Sequence, residues 1–87
     1  MKLADKIRDF VYKEYIEPAR KKGLEKITIR AGDVHDKMGL KNRIPAVIEA
    51  LGSRLFENKY GIKRIAINGS INSANANFTF EILKPHV

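Results

Sequence analysis

The sequence predicts a single small domain of the α+β class, in which helices form most of the chain and a short antiparallel sheet completes it. Apolar residues recur at three- and four-residue steps over residues 2–20, which is the period of an amphipathic helix. A glycine separates two short helical patterns within residues 31–53. Near the end, residues 78–83 alternate between apolar and polar side chains, as in a half-buried strand. At 87 residues, the chain favours one shared core and one domain, residues 1–87.

The first predicted element is a helix from residue 2 to about residue 20. Pro18 lacks an N–H, so the helix should kink or end near it, and Gly23 should stop whatever remains. The β-branched run 27–29 then predicts a brief strand. The apolar stripe of the helix consists of Leu3, Ile7, Phe10, Val11 and Tyr15.

Residues 31–53 have the pattern of a helix-turn-helix, whose second helix usually lies in the DNA major groove. Gly39 is expected to be the left-handed residue of the turn. Asn42 is expected to cap the second helix, 42–53, and Pro45 falls in its first turn, where a missing N–H costs little. The expected buried stripe of this helix is Ile44, Val47, Ile48 and Leu51.

The remaining residues predict a small antiparallel hairpin. A further helical turn over 54–59 is expected to bury Leu55 and Phe56. Strands are expected over 62–67 and 78–83, joined by a loop of small polar residues.

This order resembles the winged helix domain, a helix-turn-helix variant that a β-hairpin closes. The resemblance covers nearly the whole chain, from Leu3 to Leu83, and the blocks 29–35 and 39–47 look like small prokaryotic, often archaeal, winged helix proteins of unassigned role. It implies the order helix, strand, helix, helix, strand, wing, strand, with three helices in the core and a small antiparallel sheet. The helix-turn-helix would then span about 31–53 and the wing hairpin about 62–83.

Composition is compatible with a nucleic-acid partner but does not establish one. The net charge is +7, of which residues 1–30 carry +4 and residues 31–59 only +1. The absence of cysteine excludes disulfides, thiolate catalysis and cysteine-based zinc sites. No apolar run approaches the roughly 18 residues of a membrane span. We therefore expect a cytoplasmic, DNA-associated protein.

The resemblance implies that the second helix of the motif enters the major groove. Its outward face is expected to be Asn42, Ala46, Glu49, Ala50 and Ser53, flanked by Lys41, Arg43 and Arg54. Arg43 suits a guanine edge or a phosphate and Lys41 a phosphate, although either could be a solvated charge. Asn42 could contact adenine or serve only as a cap. Glu49 could accept from the amino group of cytosine, but it would repel phosphates.

Basic residues outside the motif are further candidates for contact with DNA. Lys63 and Arg64 lie at the base of the expected wing, and Arg20, Lys21 and Lys22 form a cluster that could equally serve the dipole of its own helix. The loop 68–77 contains no Lys or Arg. Its Asn and Ser side chains could bond phosphates, or the loop could be flexible and solvated.

Nothing in the sequence favours an enzyme. The only constellation of catalytic side-chain types is Asp33, His35 and Asp36, and no further ligands or bases are expected to converge on it. An exposed helix face explains these residues as well. No catalytic residue, metal site, cofactor or small-molecule ligand is expected.

The leading hypothesis is a DNA-binding winged helix protein, a transcriptional regulator or DNA-associated factor that binds duplex DNA. One such module buries little surface, so a homodimer on paired half-sites is expected. Tyr12, Ile16 and Ala19 lie partly off the apolar stripe of the first helix and could pair two copies, or could only widen the core face. The alternative is a winged helix used as a protein-protein interaction module, which the near-neutral motif and uncharged loop would suit.

Overall fold

Helices cover one face of an antiparallel sheet in the computed structural model, which describes residues 2–70 and 73–83. The architecture is a small α+β fold. No helix within these ranges is long and apolar enough to cross a membrane. In chain order, the elements are α1 (Leu3–Val11), a π-helical segment (Tyr12–Ile16), α2 (Glu17–Lys21), β1 (Lys26–Arg30), α3 (Ala31–Lys37), α4 (Ile44–Leu51), α5 (Arg54–Tyr60), β2 (Ile62–Asn68) and β3 (Asn77–Ile82).

The N-terminal helix runs past Pro18 by widening one turn. Glu17 N–H donates to the carbonyl of Tyr12, five residues back, so the turn before the proline is π-helical. Pro18 has no N–H and its ring crowds the preceding turn, and a π turn is one way in which a helix accommodates both. The helix then continues to Lys21, and Gly23 follows it with φ +74°. The predicted extent is confirmed, and the predicted kink takes the form of this π turn.

The sheet has the order β1-β3-β2 with antiparallel pairing throughout. All three predicted strands are confirmed to within a residue or two at their ends. Because side chains alternate along β3, Phe78 and Phe80 both point towards the helices and are buried. The Phe80 ring packs edge-on against Phe56 of α5, with ring centroids 5.4 Å apart. The core therefore lies between this face of the sheet and the helices.

The packing of α4 differs from the sequence prediction. Val47, Ala50 and Leu51 are fully buried, and Ala46 is half-buried against the core. The buried face is thus rotated by about 60° from the predicted stripe, at the 100° per residue of an α-helix. Small side chains such as Ala50 allow α4 to approach α1 and α3 closely, so the predicted outward position of Ala46 and Ala50 is wrong.

A complete helix, α5, stands between α4 and β2, so the element order differs from the predicted one. Ser53 caps it: its Oγ accepts the N–H of Phe56 at 3.3 Å. Phe56 is buried as predicted, but Leu55 is 54% exposed, so its predicted burial is wrong. Gly61 ends the helix in the left-handed conformation, with φ +65°.

The side chains predicted to pair two copies of the chain are instead used within it. Ile16 is fully buried and Ala19 is 3% exposed, both in the core. The Tyr12 ring stacks on Tyr60 of α5 at a centroid distance of 4.4 Å. Ile16 and Ala19 thus widen the core face of the helix, which is the second of the two roles the sequence left open, and Tyr12 contacts α5.

Candidate nucleic-acid interface

The turn between α3 and α4 is built by two left-handed residues and one histidine. Gly39 has φ +67°, as predicted, but Asn42 is also left-handed, with φ +54°. Consequently α4 begins at Ile44, and Asn42 does not cap it. The Arg43 N–H is bound instead by the Nε2 atom of His35, at 3.1 Å. This imidazole is only 13% exposed, so it forms a fixed support beneath the turn.

The turn presents three consecutive exposed side chains, Lys41, Asn42 and Arg43, at the N-terminal end of α4. Because the Arg43 backbone is held by His35, the path of the chain here is defined while the side chains face solvent. Asn42 favours the left-handed conformation more than most residues, since its short polar side chain tolerates it. Its role in the turn is therefore conformational, and its amide is not used as the helix cap.

The three side chains considered for catalysis have structural partners. Asp33 binds Arg30 Nη1 at 2.9 Å, and His35 accepts the turn amide. Asp36 Oδ1 lies 3.6 Å from His35 Nδ1 at the surface. Within residues 2–70 and 73–83, no group of three or more His, Asp or Glu side chains is arranged to hold a metal ion.

The exposed face of α4 carries a single charged side chain. Pro45 and Glu49 are exposed, and Ile44 and Ile48 beside them are half-buried. Glu49 takes part in none of the hydrogen bonds or ion pairs found among the described residues. The face is therefore apolar with one carboxylate at its centre, and its basic neighbours lie at the two ends of the helix.

Arg64 joins the C-terminal end of α4 to the sheet. Its Nη1 donates to the carbonyl of Gly52, just after the helix, at 3.0 Å. Its backbone N–H donates to Glu57 Oε1 at 2.7 Å, beside the irregularity in the pairing of β2 with β3. Arg54, the first residue of α5, is exposed at the same corner. Basic side chains therefore flank both ends of α4.

Ser53, a predicted contact residue, is half-buried and structural. Besides capping α5, its Oγ accepts a hydrogen bond from Arg8 Nη1 at 3.3 Å. Arg8 also binds Asp5 at 2.7 Å. This hydrogen bond from the guanidinium holds the pKa of Asp5 below its ordinary value of 3.8. The chain of contacts ties α1 to the junction between α4 and α5.

The cluster 20–22 lies at the opposite end of α5 from α4, about 10 Å away along that helix. Arg20 Nη2 donates to the carbonyls of Tyr60 and Gly61, at 2.7 Å and 3.1 Å, and so closes the C-terminal end of α5. Lys21 pairs with Glu17 at 3.2 Å, and Lys22 is exposed. Arg20 is thus a structural residue, although the sequence suggested a phosphate contact.

Lys63 does not share a face with its neighbour Arg64. Lys63 lies opposite Glu81 of β3, and Lys26 of β1 lies opposite Glu81 on its other side, so the three residues form one row across the sheet. Since side chains alternate along a strand, this row lies on the face of the sheet away from the helices. The basic pair predicted at the base of the hairpin is therefore divided between two faces, and only Arg64 reaches α4.

The second half of the β2–β3 loop is anchored to the start of α3. Ala31 N–H donates to the carbonyl of Ala76, and Gly32 N–H to that of Ala74, both at 2.9 Å. Arg30 Nη2 donates to Asn75 Oδ1 at 2.9 Å while its Nη1 holds Asp33. Residues 71 and 72 lie outside the described residues. Residues 74–76 are therefore hydrogen-bonded to the start of α3 and its preceding residue, and contact of the loop with phosphates stays a prediction.

Of the charged residues predicted as contacts from the sequence, the structure groups five around α4: Lys41, Arg43, Glu49, Arg54 and Arg64. Sequence reasoning missed the supporting residue Arg30, and it considered His35 for catalysis and not as a support of the turn. The three-residue spacing of Arg30 and Asp33 was the available signal for one of them. Comparison of the chain with protein-family models, curated proteins and solved structures finds no match. The functional argument therefore depends on this geometry.

Proposed function

We propose that this chain is a DNA-binding protein of the winged helix type, a transcriptional regulator or other DNA-associated factor, that inserts α4 into the major groove and performs no chemical step. Two features of the fold support it. Helix α3, a turn with the left-handed Gly39 and helix α4 follow one another in the order of a helix-turn-helix, and the antiparallel sheet has the order β1-β3-β2, with β2 and β3 consecutive in the chain. The extra helix α5 is an insertion relative to the simple winged helix order.

The observation that carries the proposal is the placement of basic side chains at both ends of α4. Lys41 and Arg43 precede the helix, and Arg54 and Arg64 lie at its far end. The eight residues of α4 span about 12 Å. The major groove is about 12 Å wide and admits a helix by its diameter, so an inserted α4 lies between two phosphate backbones and basic side chains at its ends can contact phosphates. Such contacts release counterions and would supply most of the affinity.

The proposal is tested by fluorescence-anisotropy titration of a labelled duplex at several salt concentrations. Lys41→Ala and Arg43→Ala are each expected to weaken binding and to lower the slope of log K against log salt by about one. Lys63→Ala is the matched control, because it removes the same charge from the opposite face of the sheet. A duplex affinity that falls equally in all three variants would show that only net charge matters. Absence of binding by the wild-type chain at low salt would refute the proposal.

A second function, a protein-interaction module, is favoured by one specific observation. Ile44, Pro45 and Ile48 give the exposed side of α4 an apolar surface with Glu49 as its only charge. Such a surface suits a partner protein, because interface cores are depleted in charged residues. If the duplex titrations show no binding, this apolar face of α4 is the surface on which a partner should be mapped.

A further inference from the structure

We propose that Glu49 makes this protein select cytosine, by accepting a hydrogen bond from the N4 amino group in the major groove. The inference rests on the proposed DNA-binding function and adds to it the base that is recognised. It follows from what the exposed face of α4 offers to a base pair. At the centre of that face, Glu49 is the exposed residue with hydrogen-bonding capacity in its side chain.

The side chains of α4 that neighbour Glu49 on this face provide no competing polar group. Pro45, one turn before it, has neither a backbone N–H nor a polar side chain. Ile48 is apolar, and Gly52, one turn after, has no side chain, while its carbonyl is bound by Arg64 at 3.0 Å. The carboxylate therefore faces outward without a partner among the described residues, and it alone can form side-chain hydrogen bonds to a base from the exposed face of α4.

An ionised carboxylate only accepts hydrogen bonds, and this restricts what it can bind. In the major groove, guanine offers two acceptors and thymine an acceptor and a methyl group, so both lack a donor for it. Adenine offers an amino donor beside the N7 acceptor, which repels a carboxylate. Cytosine offers the N4 amino donor beside an apolar C5–H edge. In a base pair the adenine donor lies between two acceptors, its own N7 and the O4 of thymine, whereas the cytosine donor has one acceptor beside it, the O6 of guanine, and the C5–H edge on its other side.

The apolar neighbours of Glu49 complement the rest of the cytosine edge. Pro45 and Ile48 can pack against the C5–H group while the carboxylate binds N4. They also exclude water, and a hydrogen bond is electrostatically stronger where water is excluded. The cost is repulsion of the carboxylate by phosphates. The four basic residues at the ends of α4 offset that repulsion by their opposite charge, because Glu49 lies between them along the helix.

The test is selection from a randomised duplex library, followed by titration of duplexes that differ only at the selected position. It uses the full wild-type chain, Glu49→Gln, Glu49→Ala and the control Glu25→Gln, which removes an equal charge at an exposed position before β1. The wild type and the control are expected to prefer cytosine at one position by about tenfold. Glu49→Gln is expected to prefer adenine there, because glutamine pairs with N6 and N7 of adenine.

Glu49→Ala is expected to lose the preference while it binds duplexes without cytosine more tightly than the wild type does. This combination distinguishes base contact from a structural role, which would weaken binding to every duplex. If the wild type binds DNA without preferring cytosine, or if Glu49→Ala selects the same base as the wild type, the inference is overturned although the proposed function stands. If none of the four proteins shows salt-dependent binding, the proposed function itself fails.

Discussion

Replacing Arg20 by alanine separates the structural role of this residue from the phosphate contact that its basic neighbours suggest. Arg20 Nη2 donates to the carbonyls of Tyr60 and Gly61, at 2.7 Å and 3.1 Å. These two carbonyls close α5 at its left-handed C-cap. Alanine leaves them without this donor and also removes the aliphatic stem that packs beside them. The variant should therefore lose stability, and its affinity for DNA should depend on salt as that of the wild type does.

The expected loss is about 2 kcal/mol. A hydrogen bond that involves a charged group contributes about 1.5–3 kcal/mol. Here one nitrogen serves both acceptors, so the two bonds are not counted separately. The Nε atom of Arg20 is buried without a hydrogen-bond partner among the described residues, which reduces the benefit of burying the side chain. For a domain of this size, 2 kcal/mol corresponds to a fall in Tm of about 8–16 °C.

Urea unfolding followed by circular dichroism measures this loss, with Lys22→Ala as the control. Lys22 is exposed two residues away, and its removal should change stability by less than about 0.5 kcal/mol. Arg20→Lys adds a second test, since lysine keeps the charge but its Nζ lies one bond nearer the backbone than the Nη2 that contacts both carbonyls. A phosphate contact would tolerate lysine, whereas the contact with two carbonyls should not. The reasoning is refuted if Arg20→Ala unfolds with the wild type and lowers the salt dependence of DNA binding instead.

Three further changes test other parts of the structure. His35→Ala should lower the free energy of unfolding by about 1 kcal/mol, because the backbone N–H of Arg43 loses its acceptor. Amide hydrogen exchange should then be faster in the turn, and unchanged exchange would contradict this role of His35. Gly69→Ala should lower the free energy of unfolding in urea by about 1–3 kcal/mol, because φ is +84° and a Cβ would collide with a carbonyl of its own loop. At Gly39 an added Cβ meets no neighbour, so Gly39→Ala should lower the free energy of unfolding by less, and equal losses in the two variants would count against the collision. Asp5→Asn should lower Tm at neutral pH and not in strong acid. The pKa of Asp5 is lowered in the folded state, so its ion pair with Arg8 stabilises the fold fully above pH 3.8 and is lost as the pH falls through the pKa of the folded state. A difference in Tm that persists below the folded-state pKa would refute this role of the ion pair.

Several local features of the fold follow directly from the sequence. The alternation in residues 78–83 reports a strand because side chains of a strand point to opposite faces, and β3 lies there. Gly39 has the left-handed conformation expected at the turn, and Pro45 lies in the first turn of α4. These predictions depend on the backbone preferences of one or two residues, or on the two-residue alternation of apolar and polar side chains. The neighbouring residues in the sequence are sufficient to determine such local features.

Local sequence patterns do not predict contacts between residues that are distant in the sequence. Asn42 is a good helix cap in isolation, but in the turn its backbone is left-handed, and α4 begins later than its capping signal indicates, without a side-chain cap. Hydrophobicity alone placed Ala50 outward, whereas a small side chain is what close packing of α4 against its neighbours requires. Both errors arise because the free energy of packing outweighs a weak local preference.

In the candidate interface, too, some features follow from the sequence and others depend on tertiary contacts. The sequence by itself determined that basic residues precede α4 and that the β2–β3 loop lacks them, because charge is a property of composition and order. Only the tertiary structure decided that Arg64 reaches α4, that Lys63 faces away and that Arg20 is occupied by α5. A charged side chain binds the nearest suitable partner in space, and for Arg20 that partner lies 40 residues further along the chain.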